Sequence, residues 1–218
     1  FAIPLDNFLT LNQVHGDDIL VIKSYGEYFS TDKALNYDAM VTTRQNLAIC
    51  IKTADCVPVF IVDRAKKIIA AVHAGWKSTA LEITAKVINL LYDRYDSSPR
   101  DILAAIGPSI GMCCFEVDED AAASFRHQKD YEEFLLPGNR PNKWIVDLPE
   151  ANRRQLIHCD VPEENIDGSH LCTSCRQDLF FSHRGSGGIT GRQLNFVMIK
   201  GEAPCRVMTI GDEYPRIQ

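Results

Sequence analysis

Short runs of β-branched residues, separated by polar turns, dominate the first third of the chain. Residues 19–22, 39–42 and 47–51 are such runs and predict strands. Residues 57–62 and 68–72 predict two more. The polar segment Asp63-Arg64-Ala65-Lys66-Lys67 between them predicts a hairpin or short connection. The period then changes. Leu81, Ile83, Val87, Ile88, Leu90 and Leu91 follow helical spacing, so a helix is expected over 79–92, closed by Asp96-Ser97-Ser98-Pro99. A strand over 102–106 ends in Gly107-Pro108. Residues 119–126 and 149–158 predict helices, the second with Pro149 at its start. The last core strand is expected over 195–199. The loop 137–142, rich in Pro, Gly and Asn, is the best candidate for a boundary between lobes. Strands and helices mix without a strict βαβ rhythm, which predicts an α+β fold with mixed sheets rather than a doubly wound parallel sheet.

Composition narrows the class. A chain of 218 residues makes one large domain or two tightly joined lobes. Apolar residues at 45% and charged residues at 24% exclude a disordered, collagen-like or disulfide-scaffold chain. No run approaches the length of a membrane-spanning helix, so no membrane is expected as partner. A net charge of −6 disfavours nucleic acid as a partner, yet leaves room for a small anion held by a few local Arg or Lys. The 8 cysteines are sparse for a secreted scaffold. No secretory leader opens the sequence, and Phe1 in place of Met implies a start that is missing or processed. The expectation is a cytoplasmic protein with reduced thiols.

Three segments place soft ligands at strand ends beside small residues: Gln13-Val14-His15-Gly16, Thr53-Ala54-Asp55-Cys56-Val57-Pro58 and His73-Ala74-Gly75-Trp76. His15, Cys56 and His73 suit zinc, and three protein ligands with one open position is the catalytic rather than the structural pattern. Copper accepts the same donors. The same atoms also fit a cysteine nucleophile with a histidine base, and each residue alone fits ordinary packing. Asp55 is a candidate proton carrier, although strand alternation points it away from Cys56.

Cys172-Thr173-Ser174-Cys175 is a single C-x-x-C. A structural metal there would need ligands from His170, Cys159 or Cys113-Cys114, and plain packing or a disulfide stay open. The turn 107–115 leads through glycines to the vicinal Cys113-Cys114. The loop 182–188 is basic, and Arg184 with Arg192 could clamp a phosphate; a solvated surface loop is the bland alternative. The acidic opening of the 149–158 helix suits the helix dipole and needs no active site.

Taken in order, these segments resemble the YfiH family, also called the multicopper polyphenol oxidoreductase (laccase) or peptidoglycan-editing-factor (PgeF-like) family. The matching pieces add Asp38-Ala39-Met40-Val41-Thr42, Ile106-Gly107-Pro108-Ser109-Ile110, Cys114-Phe115-Glu116-Val117, Asp147-Leu148 with Ala151-Asn152, and Cys172-Thr173 with Thr190-Gly191-Arg192. The resemblance spans about residues 11 to 200 and implies one YfiH-like (laccase-type) domain over 1–218. It implies layered mixed β-sheets flanked by helices, the CNF1/YfiH-like fold. It also implies a zinc ion, with copper as alternative, on His15, Cys56 and His73, which would be both metal ligands and catalytic residues.

The activity implied is that of a purine nucleoside phosphorylase acting on adenosine, inosine, guanosine or methylthioadenosine with phosphate, together with adenosine deamination. Lys77, Arg184 and Arg192 become candidate substrate contacts. The alternatives are a copper-dependent polyphenol oxidase, a cysteine hydrolase or peptidoglycan-precursor editing factor, and a partner-binding protein with structural zinc. The 6 histidines are too few for the usual four-copper set. Members of the family carry some tens of residues, with an H-G-F-x-T-R-like stretch, before Q-V-H-G. This sequence opens just ahead of Gln13, so part of the pocket is expected to be built differently. Lys77-Ser78 stands where the family has Arg-Gly, Phe115 replaces a Tyr, and Ser182-His183-Arg184 replaces S-Y-R.

Overall fold

The structure, a computed structural model, describes residues 3–23 and 36–201; Cys205 lies outside them. Among the described residues, sixteen strands and α-helices follow in chain order. They are β1 (Phe8–Thr10), β2 (Ile19–Ile22), β3 (Ala39–Thr42), β4 (Ala48–Thr53), β5 (Val57–Asp63), β6 (Ile68–Ala74), α1 (Trp76–Ala80) and α2 (Ile83–Tyr95). Then come β7 (Ile102–Ile106), β8 (Glu116–Asp118), α3 (Glu119–Ala123), β9 (Leu135–Pro137), β10 (Lys143–Val146), α4 (Leu148–His158), β11 (Ile166–Gly168) and β12 (Gln193–Val197).

The central sheet has the order β11-β7-β5-β6-β3-β2. Its middle pairings are antiparallel, while β2–β3 and β7–β11 are parallel. A second sheet, β1-β4-β12, combines one parallel and one antiparallel pairing. The third, β8-β10-β9, is antiparallel. This is the mixed α+β architecture expected from the sequence.

Both faces of the central sheet are covered, which is why its strands read as apolar runs rather than as alternations. Every residue of β6 is buried. One face packs Val59, Ile61, Ala70 and Val72 against Ile83, Val87, Ile88 and Leu91 of α2. The other packs Met40, Ile69 and Ala71 against Leu47, Ile49 and Ile51 of the second sheet.

Several predicted elements are redrawn. The 79–92 helix is two helices, broken at Leu81–Glu82, where Glu82 takes a φ of 60°. The Thr79 carbonyl accepts the Glu82 N–H at 3.0 Å in a tightened turn and also the Gln128 and Gln155 amides at 2.8 and 2.9 Å, so buried side chains add to the backbone bond at the break. Asn152 adds a bond to the Thr79 hydroxyl at 3.1 Å. The 119–126 helix stops at Ala123. The chain then turns to seat the fully buried Phe125 edge-on against Phe134, with ring centroids 6.2 Å apart. The loop 137–142 is no lobe boundary; it is the turn of the β9–β10 hairpin, closed by the Gly138 N–H on the Lys143 carbonyl at 2.8 Å. The last strand lies two residues earlier than expected, with Asn195 opposite Ile51. Asp147 caps α4 by accepting the Glu150 N–H at 3.1 Å, as the acidic helix start predicts.

Candidate metal centre

The two strand groups bring His15, Cys56 and His73 together. Their ligand atoms all lie within 4.8 Å of one another. His15 sits in the turn before β2 with a φ of 61°. Cys56 sits in the bend between β4 and β5, and His73 lies inside β6 opposite Pro58. The sequence expectation ended that strand at Val72; in fact β6 continues through Ala74, which fixes the His73 backbone in the sheet.

One buried carboxylate organises both histidines. Asp38 precedes β3 and is fully buried. Its Oδ1 accepts from His73 Nδ1 at 2.7 Å and from the His15 N–H at 3.0 Å. Its Oδ2 accepts from the Gly16 and Val14 N–H groups at 2.7 and 3.2 Å. The Asp38 carbonyl accepts the His73 N–H at 2.7 Å. With Nδ1 committed to Asp38, His73 turns Nε2 to the centre, the carboxylate–histidine arrangement that orients metal ligands.

Gln13 fastens the same turn to β4, donating to the Lys52 carbonyl at 2.7 Å and accepting the Lys52 N–H at 2.8 Å. Gly75 leaves the space: a Cβ there would lie 2.7 Å from His15 Cδ2 and 3.3 Å from Cys56 Sγ.

The electrostatics favour a thiolate. Burial pushes the Cys56 thiol up, but hydrogen bonds and charge from His15 and His73 outweigh it and bring it down to about 6. Burial pushes His73 down, and its bonds to Asp38 and Cys56 reverse this and raise it to about 9. Burial likewise raises Asp38, while His73 and the Gly16 and His15 N–H groups hold it below the ordinary carboxylate value. Cys56 Sγ and His15 Nε2 stand 3.7 Å apart. Two imidazoles, one of them oriented by a carboxylate, and one thiolate are compatible with a bound metal ion.

These three residues line a cavity of about 560 Å³. Lys52, His183, Arg184 and Arg192 line it with cationic or basic groups. Trp76, Phe115 and Ile110 supply flat or apolar surface. The Arg184 guanidinium lies over the Phe115 ring at 5.4 Å and donates to the Cys114 carbonyl at 3.1 Å. Arg192 donates to the Thr190 and Gly191 carbonyls at 3.0 and 2.8 Å. Lys77 lies outside this lining, on the exposed side of α1, with Nζ 5.5 Å from the Trp76 ring.

Asp55 ties two loops together. Its Oδ1 accepts from the Thr173 hydroxyl and its Oδ2 from the Arg184 N–H, both at 2.7 Å. Both oxygens therefore anchor loops around Cys56. Lys52 belongs to none of the quoted motifs, and Asp38, Gly75 and Trp76 stand in them without a role of their own. Asp38 carried the best signal, an acidic residue directly before an all-apolar strand.

The family model described as multi-copper polyphenol oxidoreductase laccase matches residues 1–200. The chain is 39% identical over 202 residues to a protein of Geobacillus stearothermophilus named purine nucleoside phosphorylase YlmD, covering 90% of this chain and 73% of that protein. It is 34% identical to a protein of an unknown prokaryotic organism named adenosine deaminase RL5, covering 88% of this chain and 74% of the other. The crystal structure of the Bacillus licheniformis hypothetical protein YfiH superposes with a TM-score of 0.86 at 36% identity, covering 91% of this chain and 76% of that one.

Proposed function

The chain belongs to the multi-copper polyphenol oxidoreductase laccase family, and from that premise we propose that it is a zinc-dependent purine nucleoside enzyme. Its substrates would be adenosine, inosine, guanosine or methylthioadenosine with phosphate, and adenosine for deamination. Residues 1–218 would act as one cytoplasmic domain. The relatives named purine nucleoside phosphorylase and adenosine deaminase support this. The observation that carries it is the His15–Cys56–His73 triad, oriented by Asp38 and opening onto a pocket that joins cationic groups to flat apolar surface.

In this proposal His15 Nε2, Cys56 Sγ and His73 Nε2 hold the metal, which supplies Lewis acidity toward an oxygen of phosphate or water. Trp76 and Phe115 offer faces to a purine ring. Lys52, Arg184 and Arg192 offset phosphate charge. Asp38 keeps His73 in one orientation through turnover. In phosphorolysis a phosphate oxygen forms the bond to ribose C1′ while the C1′–N9 bond breaks and the base leaves. Cationic side chains favour the approach of the phosphate, and holding both reactants in line removes much of the entropic barrier. The test is chromatography of adenosine and inosine reactions with and without phosphate. Phosphate-dependent release of adenine or hypoxanthine supports phosphorolysis, and phosphate-independent conversion of adenosine to inosine supports deamination.

The Cys56–His15 pair also has the chemistry of a thiol nucleophile and its base, given the lowered thiol. Activity that survives chelation but not iodoacetamide would favour that hydrolase reading.

A further inference from the structure

A second cluster of soft ligands lies outside the triad. Two turns, one holding Cys113 and Cys114 and the other Cys172 and Cys175, bring four sulfurs within 4.8 Å of one another. We propose that these four thiolates form a structural site for a thiophilic divalent cation of the zinc type. The inference does not rest on the nucleoside reading.

Distances favour it over a disulfide. Cys114 and Cys175 sulfurs are 3.4 Å apart, and Cys113 and Cys175 sulfurs 3.6 Å. A disulfide needs about 2.0 Å. A tetrahedral zinc with Zn–S of about 2.3 Å has sulfur–sulfur edges of about 3.8 Å. Four sulfurs with no nitrogen or open position make the closed, structural pattern.

The scaffold is already joined by backbone. The Thr173 N–H bonds the Ser109 carbonyl at 2.9 Å, and Ser109 and Cys172 form a bridge. The Gly111 N–H donates to Cys172 Sγ at 3.2 Å, a bond that supports a ligating sulfur. The Cys114 N–H closes its turn on Gly111 at 2.9 Å, and the Arg176 N–H closes the other on Cys172 at 3.0 Å. Four thiolates and one divalent cation would leave a double negative charge. The Arg184 guanidinium, bonded to the Cys114 carbonyl, sits beside it. Cys113 and Cys175 are exposed, which gives a metal a route in.

Such a site would staple the wall of the pocket. Ile110 and Phe115 flank the first turn and line the cavity, while Thr173 of the second turn holds Asp55 beside Cys56. The staple would thus fix Asp55 and, through it, the bend that presents Cys56.

The test is metal content of the full chain purified under reductant, by mass spectrometry, with folding checked by circular dichroism. The wild type should hold about two equivalents, Cys56→Ala about one, and Cys175→Ser about one. Cys159→Ser, which removes a thiol outside the cluster, should keep both. Cobalt loaded into Cys56→Ala should show the absorption of a tetrahedral four-sulfur site. If Cys175→Ser does not fold, Cys113→Ser takes its place. If the triad holds no metal, wild type and Cys56→Ala both carry one equivalent and Cys175→Ser carries none, so the two claims separate. A folded Cys56→Ala chain with no metal after zinc addition would overturn the proposal. So would a mass lower by two hydrogens that maps to a Cys114–Cys175 or Cys113–Cys175 crosslink under reductant.

Discussion

The two ligand clusters are built on opposite plans. His15, Cys56 and His73 come from widely separated segments, with His73 inside a fully buried strand and a buried carboxylate behind it. Cys113, Cys114, Cys172 and Cys175 come from two turns and have no carboxylate partner among the bonds described here. The mixed nitrogen–sulfur set offers three donors beside a cavity of about 560 Å³, while the all-sulfur set offers four donors of its own. A donor needed for chemistry is thus held by sheet and buried charge. A donor needed for cohesion can sit on turns, because the metal itself supplies the rigidity.

The strongest effect is expected at the first cluster. Cys56→Ala should remove its metal and lower kcat/KM by about a thousandfold or more, equivalent to about 4 kcal/mol. Metal analysis beside the nucleoside assay checks both. Asp38→Asn keeps every metal donor but withdraws the negative charge behind His73, and it should cost about 10–100-fold in metal affinity or activity. Chelator competition measures that loss; unchanged affinity would mean that the backbone alone orients His73.

Proton coupling is the next test. Without metal, Cys56 at about 6 and His73 at about 9 make a thiolate–imidazolium pair between those values. Metal needs the thiolate and a neutral His73. Binding should therefore displace the His73 proton between about pH 6.5 and 8.5, so affinity should fall as the pH drops below about 9 and more steeply below about 6. The lowered Cys56 adds stability that is lost as pH falls through 6. The raised His73 adds stability that is lost as pH rises through 9. Calorimetry in buffers of different ionisation enthalpy counts the proton released.

Asp55→Asn weakens two charge-assisted bonds, to Thr173 and Arg184. It should raise KM more than it lowers kcat and reduce stability by about 1–3 kcal/mol, as a denaturant midpoint would show. The smallest effect is expected for Lys77→Ala, whose side chain is outside the cavity lining; less than about a threefold change in kcat/KM is expected, a surface-scale effect. A larger loss would place Lys77 in substrate contact after all.

Much of this was legible in the residue order. The β2, β3 and β7 bounds coincide with apolar, mostly branched runs, and burial on both faces accounts for this in β3. The three triad residues were named from their motifs and do converge. What periodicity could not see was long-range hydrogen bonding. At the α1–α2 break Gln128 and Gln155 reach the Thr79 carbonyl, and neither residue belongs to the helix. The role of Asp38 depends on residues more than twenty positions away on either side, which its place in a matching segment does not reveal. Arg184 and Arg192, named as candidate substrate contacts, line the cavity, and both bond backbone carbonyls that the sequence does not reveal. The C-x-x-C left its partners open. Only the fold, through the Ser109–Cys172 bridge, brings the vicinal pair across to it.

The most direct measurement pairs metal content with nucleoside turnover on one sample of wild type and of Cys56→Ala. The predicted result is adenosine or inosine consumption by the metal-loaded wild type, with metal at the triad and turnover both lost in Cys56→Ala. Full turnover by a Cys56→Ala protein without metal at that centre would contradict it.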